Sequence, residues 1–165
     1  QTAAVKFVAA MGDGMNIGNT LDCITDRDGI VTPQNGETAW GNPRITQAYV
    51  DALRDYGYKT VRLPITWAEH MDTKDGSYKI SATWMARVAE CVQYSLNDNL
   101  TVIINLHHDG GSSKTSWILD AGKPDASGNY NQNYDKTFDR FTKVWTQIAT
   151  YFRDYPENLV FEAMN

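Results

Sequence analysis

No stretch of this sequence holds the roughly 20 consecutive apolar residues that a membrane-spanning helix requires. Gln1-Thr2-Ala3-Ala4 has neither the basic start nor the apolar middle of a secretory signal. A mature secreted protein has the same appearance, and secretion is expected. No cluster of Lys and Arg is present, and 15 basic against 20 acidic residues leave a formal net charge of −5, which argues against a nucleic-acid surface. Neither a G-x-G-x-x-G nor a P-loop occurs, so a nucleotide fold has nothing to stand on. Internal repeats and low-complexity tracts are missing as well. Cysteine is scarce: Cys23 and Cys91 lie far apart, in a loop and a helix, and two thiols or one bridge remain equally open. Asn99-Leu100-Thr101 fits a glycosylation pattern that is too short to carry weight alone.

What is present is the composition of a globular domain, 42% hydrophobic and 21% charged, at a length that supports one sizeable core. Five Trp and nine Tyr are many for 165 residues. Each ring is either core packing or a platform for the apolar C–H face of a sugar.

Helical and extended patterns alternate along the chain. Residues 2–11 read as a short amphipathic helix and 14–18 as a first strand. A polar, Gly-rich loop covers 21–42, and Pro43 suits the first turn of a helix reaching about residue 56, with Ile45, Tyr49, Ala52, Leu53 and Tyr56 on one face. Residues 59–65 form a second strand ended by Pro64. Ser81 opens a helix to about 96, with Trp84, Val88, Cys91 and Val92 or Ser95 along its stripe. Residues 100–106 are nearly all apolar, as in a strand buried on both faces of a parallel sheet. Residues 135–155 present Phe138, Phe141, Trp145, Ile148 and Phe152 on one helical face, and 159–164 make a fourth strand. This α/β order fits an open doubly wound sheet or half of an eight-stranded barrel. Polar residues at the carboxyl ends of all four strands favour the barrel, which gathers its site from many strands rather than from one switch point.

The first strand end gives Asn16, Asn19 and Asp22, which suit turn chemistry or, for Asn19 and Asp22, binding of sugar hydroxyls across the mouth. The second gives Arg62, whose permanent charge inside a barrel demands a carboxylate. That partner is either a structural acid nearby or a nucleophilic Glu held ionised. The third gives His107, His108 and Asp109; neighbouring strand residues face opposite ways, so both imidazoles serve one site only where the strand ends. The His pair invites a zinc site, but His70, the remaining His, is not placed to supply a third ligand; no metal and no cofactor is expected. The fourth end gives Asn165. Trp40, Trp67 and Trp117 lie in or near loops at this same face, whereas Trp84 and Trp145 fit helix stripes.

Taken together, Gly14-Met15-Asn16-Ile17-Gly18-Asn19-Thr20-Leu21-Asp22, Val61-Arg62-Leu63-Pro64, Asn105-Leu106-His107-His108 and Phe161-Glu162-Ala163-Met164-Asn165 resemble glycoside hydrolase family 5, the cellulase family. They do so in order over most of the chain, with Met15 where that family commonly has Trp. Trp40-Gly41-Asn42-Pro43 is similar to its subgroup of endoglucanases, lichenases and xyloglucanases. The resemblance implies a (β/α)8 barrel cleaving β-1,4-glucans with retention, through two glutamates roughly 5–5.5 Å apart. It places the acid/base directly after Asn165 and the nucleophile on a later strand. Residues 1–165 would then be the N-terminal half of one barrel domain, inactive alone and partnered by the C-terminal half as a continuation or a second chain. By position the resemblance implies that Arg62 orients the nucleophile, His107 supports the site, and Asn165 bonds the sugar 2-hydroxyl. Asn19, Asp22 and His108 would line the non-reducing side of the cleft, with Trp40, Trp67 and Trp117 as substrate-binding aromatics. Glu162 sits three residues before Asn165, within the strand, and is not the acid/base. Other activities of the family (xyloglucanase, lichenase, mannanase) and a non-catalytic carbohydrate-binding half-barrel remain alternatives.

Overall fold

A computed structural model describes residues 2–25, 36–111 and 113–165. Residues 26–35 of the polar loop expected over 21–42 therefore lie outside the described residues. Four parallel strands form the main sheet: β1 (Gly14–Asn16), β2 (Thr60–Leu63), β5 (Thr101–Asn105) and β6 (Leu159–Glu162), paired in that order. A doubly wound sheet reverses direction at a switch point, whereas these strands lie side by side in chain order, as in a (β/α)8 barrel. Helices α1 (Ala3–Ala10), α2 (Gln47–Asp55), α3 (Ala82–Asn97) and α4 (Asn131–Phe152) alternate with them. Thr2, Thr46 and Ser81 cap the first three, each side chain accepting from a backbone N–H of the first turn. No helix among the described residues is long and apolar enough to cross a membrane.

Alternation along the strands sorts their side chains between two faces. Val61, Leu63, Val102 and Ile104 are fully buried against the helices, where α3 contributes Trp84, Val88, Cys91, Val92 and Ser95, the stripe expected from the sequence. Cys23 and Cys91 are both buried free thiols. The opposite face, which becomes the inside of the sheet, carries Asn16, Arg62, Asn105 and Glu162. Cross-strand bonds run past the strand ends, from Ile17 N to Arg62 O, His107 N to Ile65 O and Asn165 N to Leu106 O. The polar ends of all four strands are thereby held level.

Helix α2 departs from the sequence expectation. It begins at Gln47 rather than near Pro43 because the backbone of Ile45 is engaged by side chains: its N–H donates to Glu37 (2.7 Å) and its carbonyl accepts from Arg87 (2.7 Å). Val50 and Leu53 form its buried face, while Tyr49 and Tyr56 are exposed. Glu37 itself is fully buried in a two-point pair with Arg87 (2.7 and 2.8 Å) and also accepts from Arg44. In α4, Val144, Ile148 and Phe152 reach the core, and Phe138 lies outside it.

Between β2 and α3 the chain adds a short antiparallel hairpin, β3 (Met71–Asp72) with β4 (Lys79–Ile80), too brief to register as a period in the sequence. At its base His70 is buried face to face on Trp84, with ring centroids 3.5 Å apart and Nε2 without a partner among the described residues. Burial pushes its pKa down to about 3. The unfolded chain takes up this proton near the ordinary His value of about 6.5, so stability from neutral His70 is present above that pH and is lost as pH falls toward 3. We expect His70→Phe, which keeps a ring over Trp84, to flatten the loss of urea stability between about pH 6.5 and 4. An unchanged slope in the difference from wild type would show that His70 is already protonated or exposed.

Candidate functional site

Arg62 lies on the inner face of β2, paired in register with Ile103, and Glu162 on β6 is level with Asn105, two residues farther along. The arginine reaches diagonally past β5 to close a bidentate pair, Nε to Oε2 at 2.6 Å and Nη2 to Oε1 at 2.5 Å. Such fork-to-carboxylate geometry is among the strongest hydrogen-bonded pairings available. Through it the guanidinium holds the Glu162 carboxyl below the ordinary Glu range, and Glu162 raises the pKa of Arg62. Of the two readings of Arg62, the structure therefore supplies a nearby structural acid. The guanidinium also donates to Asn16 Oδ1 (3.4 Å) and Asn165 Oδ1 (3.1 Å), so one side chain links the ends of β1, β2 and β6.

Asn105 fills the remaining gap on β5. It is buried, and its amide donates both to His107 Nδ1 (3.2 Å) and to Glu162 Oε1 (3.3 Å). Strand β5 ends at Asn105, so the chain turns out of its pleat and brings both imidazoles to the mouth, 4.6 Å apart between centroids. Burial, with the charges of His108 and Arg62 adding to it, lowers the pKa of His107 and favours the neutral ring.

Asp22 is buried and holds its own turn through Thr20 N (2.9 Å), while its second oxygen lies 3.8 Å from His108 Nε2. Asn19 is exposed with a left-handed backbone (φ 57°), which Asn tolerates at a tight turn. Trp40 packs edge-on to His108 with centroids 5.5 Å apart, donates to Ile24 O and leaves 43% of its surface open. It is placed to offer a ring face at the mouth.

The other two loop tryptophans do not bear out the expectation of substrate-binding platforms. Trp67 is fully buried with its indole N–H on Asn105 O (2.8 Å), and Trp117 is buried with its indole N–H on Asp109 Oδ1 (2.7 Å). Asp109 also accepts from the backbone N–H of Trp67 (2.8 Å), so a single buried carboxylate ties the Trp67 backbone and the Trp117 ring together under the mouth. Burial raises its pKa to about 6 despite these bonds. Sequence reasoning missed this tie, since nothing in the spacing of Asp109 from Trp67 signals contact.

His70 is remote from the His pair in its Trp84 stack, but Asp22, His107 and His108 offer donor atoms within 4.8 Å of one another, a trio that sequence did not bring together. The trio does not suit a resident metal. A liganding imidazole ordinarily gives its second N–H to an acceptor, whereas Nδ1 of His107 faces a donor, the Asn105 amide.

Because the pair of Arg62 and Glu162 joins strands on either side of β5, it stabilises the sheet as well as the site. We expect Glu162→Gln to lower unfolding free energy by about 1.5–3 kcal/mol in urea titrations near neutral pH. The loss should vanish as pH falls below the depressed pKa of Glu162, where the wild-type carboxyl is protonated too. Additive effects of Arg62→Met and Glu162→Gln in a double-mutant cycle would show the pair to be idle.

The cellulase (glycosyl hydrolase family 5) family model matches residues 25–165. Endoglucanase B of Clostridium cellulovorans is 42% identical over 160 residues, covering 97% of this chain and 31% of the relative. A glycoside hydrolase family 5 enzyme from Prevotella bryantii B14 superposes with a TM-score of 0.86 at 37% identity, covering 100% of this chain and 44% of that one; a mutant of it has been solved with a xyloglucan tetradecasaccharide. A broad-specificity endoglucanase from Ruminococcus champanellensis with bound cellotriose gives 0.84 at 35% identity, covering 100% and 43%. The chain thus spans about a third of the curated relative and less than half of each solved structure. With four strands in barrel order, a charged cluster at their carboxyl ends and a family match over most of its length, the chain belongs to the cellulase family, glycosyl hydrolase family 5.

Proposed function

We propose that residues 1–165 form the N-terminal half of one (β/α)8 catalytic domain, and that the complete domain is an endo-β-1,4-glucanase acting with retention of configuration. The observation that carries this reading is the convergence of Asn16, Arg62, His107 and Asn165, from four successive strand ends, on one mouth. The C-terminal half, as a continuation or a second chain, is the partner that closes the sheet. The substrate is a β-glucan, too large to enter a cell, which accords with a secreted enzyme.

Two glutamates roughly 5–5.5 Å apart carry out the double displacement. The acid/base is the one that the family pattern puts directly after Asn165, and the nucleophile lies on a later strand. A guanidinium has more N–H donors than Glu162, Asn16 and Asn165 use. Nη1 of Arg62 can therefore receive the nucleophile carboxylate and keep it ionised. Asn165 accepts from Arg62 through Oδ1, which turns its amide N–H groups toward the sugar 2-hydroxyl. Asn19, Asp22 and His108 line the non-reducing side, where the open face of Trp40 gives a sugar ring its platform. Xyloglucan is the second candidate substrate, on the likeness to the Prevotella bryantii enzyme, a mutant of which has been solved with a xyloglucan oligosaccharide.

The test compares residues 1–165 with the full-length protein on carboxymethylcellulose, xyloglucan, lichenan and mannan, scoring reducing ends. We expect hydrolysis of β-1,4-glucan with retention by the full-length protein and none by the 165-residue chain. Asn165→Ala in the full-length protein should lower kcat about 100-fold or more. Tight cello-oligosaccharide binding without release of reducing ends would replace the enzyme reading with a carbohydrate-binding one, and a clear preference for mannan would move the activity elsewhere in the family.

A further inference from the structure

Asn105 has an orientation that its surroundings determine. Its Oδ1 accepts from the backbone N–H of Ile65 at 3.0 Å, and a backbone N–H can only donate. Turning the amide over would set Nδ2 against that N–H and Oδ1 against the Glu162 carboxylate, opposing donor to donor and acceptor to acceptor. Nδ2 therefore faces both Glu162 Oε1 (3.3 Å) and His107 Nδ1 (3.2 Å). Glu162 cannot shift to relax this arrangement, since Arg62 grips both of its oxygens. Nor can the His107 backbone move freely, since His107 N is bonded to Ile65 O at 2.8 Å.

A neutral imidazole has one nitrogen that donates and one that accepts. With an amide N–H aimed at Nδ1, that nitrogen must present its lone pair, and the ring proton resides on Nε2. We propose that Asn105 is a positioning residue that locks His107 in the Nε2–H tautomer, so that the site receives a neutral N–H donor from this ring and never a lone pair. On the glucanase reading, on which this inference rests for its catalytic meaning, a fixed donor suits a carboxylate or a sugar oxygen that gains negative charge during the displacement. A base at the same place would compete with the glutamates for protons. The burial that lowers the pKa of His107 acts in the same direction, since it keeps the ring from becoming a second cation beside Arg62.

The test begins with 15N NMR of the full-length protein labelled at histidine, which separates a protonated ring nitrogen from an unprotonated one. The expected result is an unprotonated Nδ1 and a protonated Nε2 for His107 from pH 6 to 8. A protonated Nδ1, or an imidazolium over that range, overturns the proposal without reference to activity. Asn105→Ala should give a mixture of tautomers; an unchanged tautomer in that variant also overturns it. Should Asn105→Ala fail to fold, the paired substitutions His107→Gln and His107→Asn carry the same question. The Gln amide places its N–H near the Nε2 position and the Asn amide near Nδ1, so Gln should retain at least about tenfold more kcat/KM than Asn on cello-oligosaccharides. Equal or inverted activities count against the assignment. A full-length protein with no hydrolase activity would sink the glucanase reading while leaving the NMR result to decide the tautomer.

Discussion

An arginine on the inner face of a sheet cannot shed its charge, and the polar end of this half-barrel is arranged around that constraint. Arg62 takes both oxygens of Glu162 from across β5, then spends further donors on Asn16 and Asn165. Between the two charged groups stands Asn105, whose amide completes the coordination of Glu162 and turns to His107. The strand ends are thus linked through side chains as well as through backbone, and the order of contacts follows the order of strands. Without Glu162 the guanidinium would face the inside of the sheet with two amides for company; without Arg62, Glu162 would lose the bonds that keep it ionised.

That arrangement also separates two roles easily confused in the sequence. Glu162 and the glutamate proposed to follow Asn165 stand only four positions apart, yet Glu162 is the last residue of β6 and the other lies beyond the strand end, where the pleat no longer sets the direction of a side chain. Both oxygens of Glu162 are engaged by Arg62 and Asn105, which fits it for holding and not for proton transfer. The same distinction applies to Glu37, a fully buried carboxylate occupied by two arginines and a backbone N–H on the helix side. In each, both oxygens are committed to structural partners.

The sequence disclosed what repeats at short range. Four strands, the stripe of α3 and the placement of the His pair at a strand end follow from periods of two and 3.6 and from the turn residues around them. It did not disclose long-range pairing. Arg62 calls for a carboxylate by its chemistry, but that the carboxylate is Glu162, a hundred positions away, depends on strand register. Trp67 and Trp117 sit in loops, where exposure is the common expectation, and only the long-range partners of their indoles, Asn105 O for Trp67 and the buried Asp109 for Trp117, explain why they turn inward. Pro43 suggested a helix start, and the engagement of Ile45 by Glu37 and Arg87 overrode it. The β3–β4 hairpin escaped for a simpler reason: two residues per strand make no period.

The carboxylate of Asp109 has an implication for how such sites diverge. Because it holds the loop after β2 through the Trp67 backbone N–H and the loop after β5 through the Trp117 indole, replacing Asp109 leaves an unmet donor in both loops, and replacing Trp117 leaves an unmet acceptor on the carboxylate that holds the other. Substitutions in these two segments are therefore coupled, and neither loop can be remodelled for a new substrate on its own. Trp40 carries no such tie to Asp109; its ring rests on one backbone carbonyl and on His108. The Trp40 side chain can therefore be exchanged at less cost to the fold than Trp67 or Trp117, provided that Glu37 in the same segment keeps its pair with Arg87.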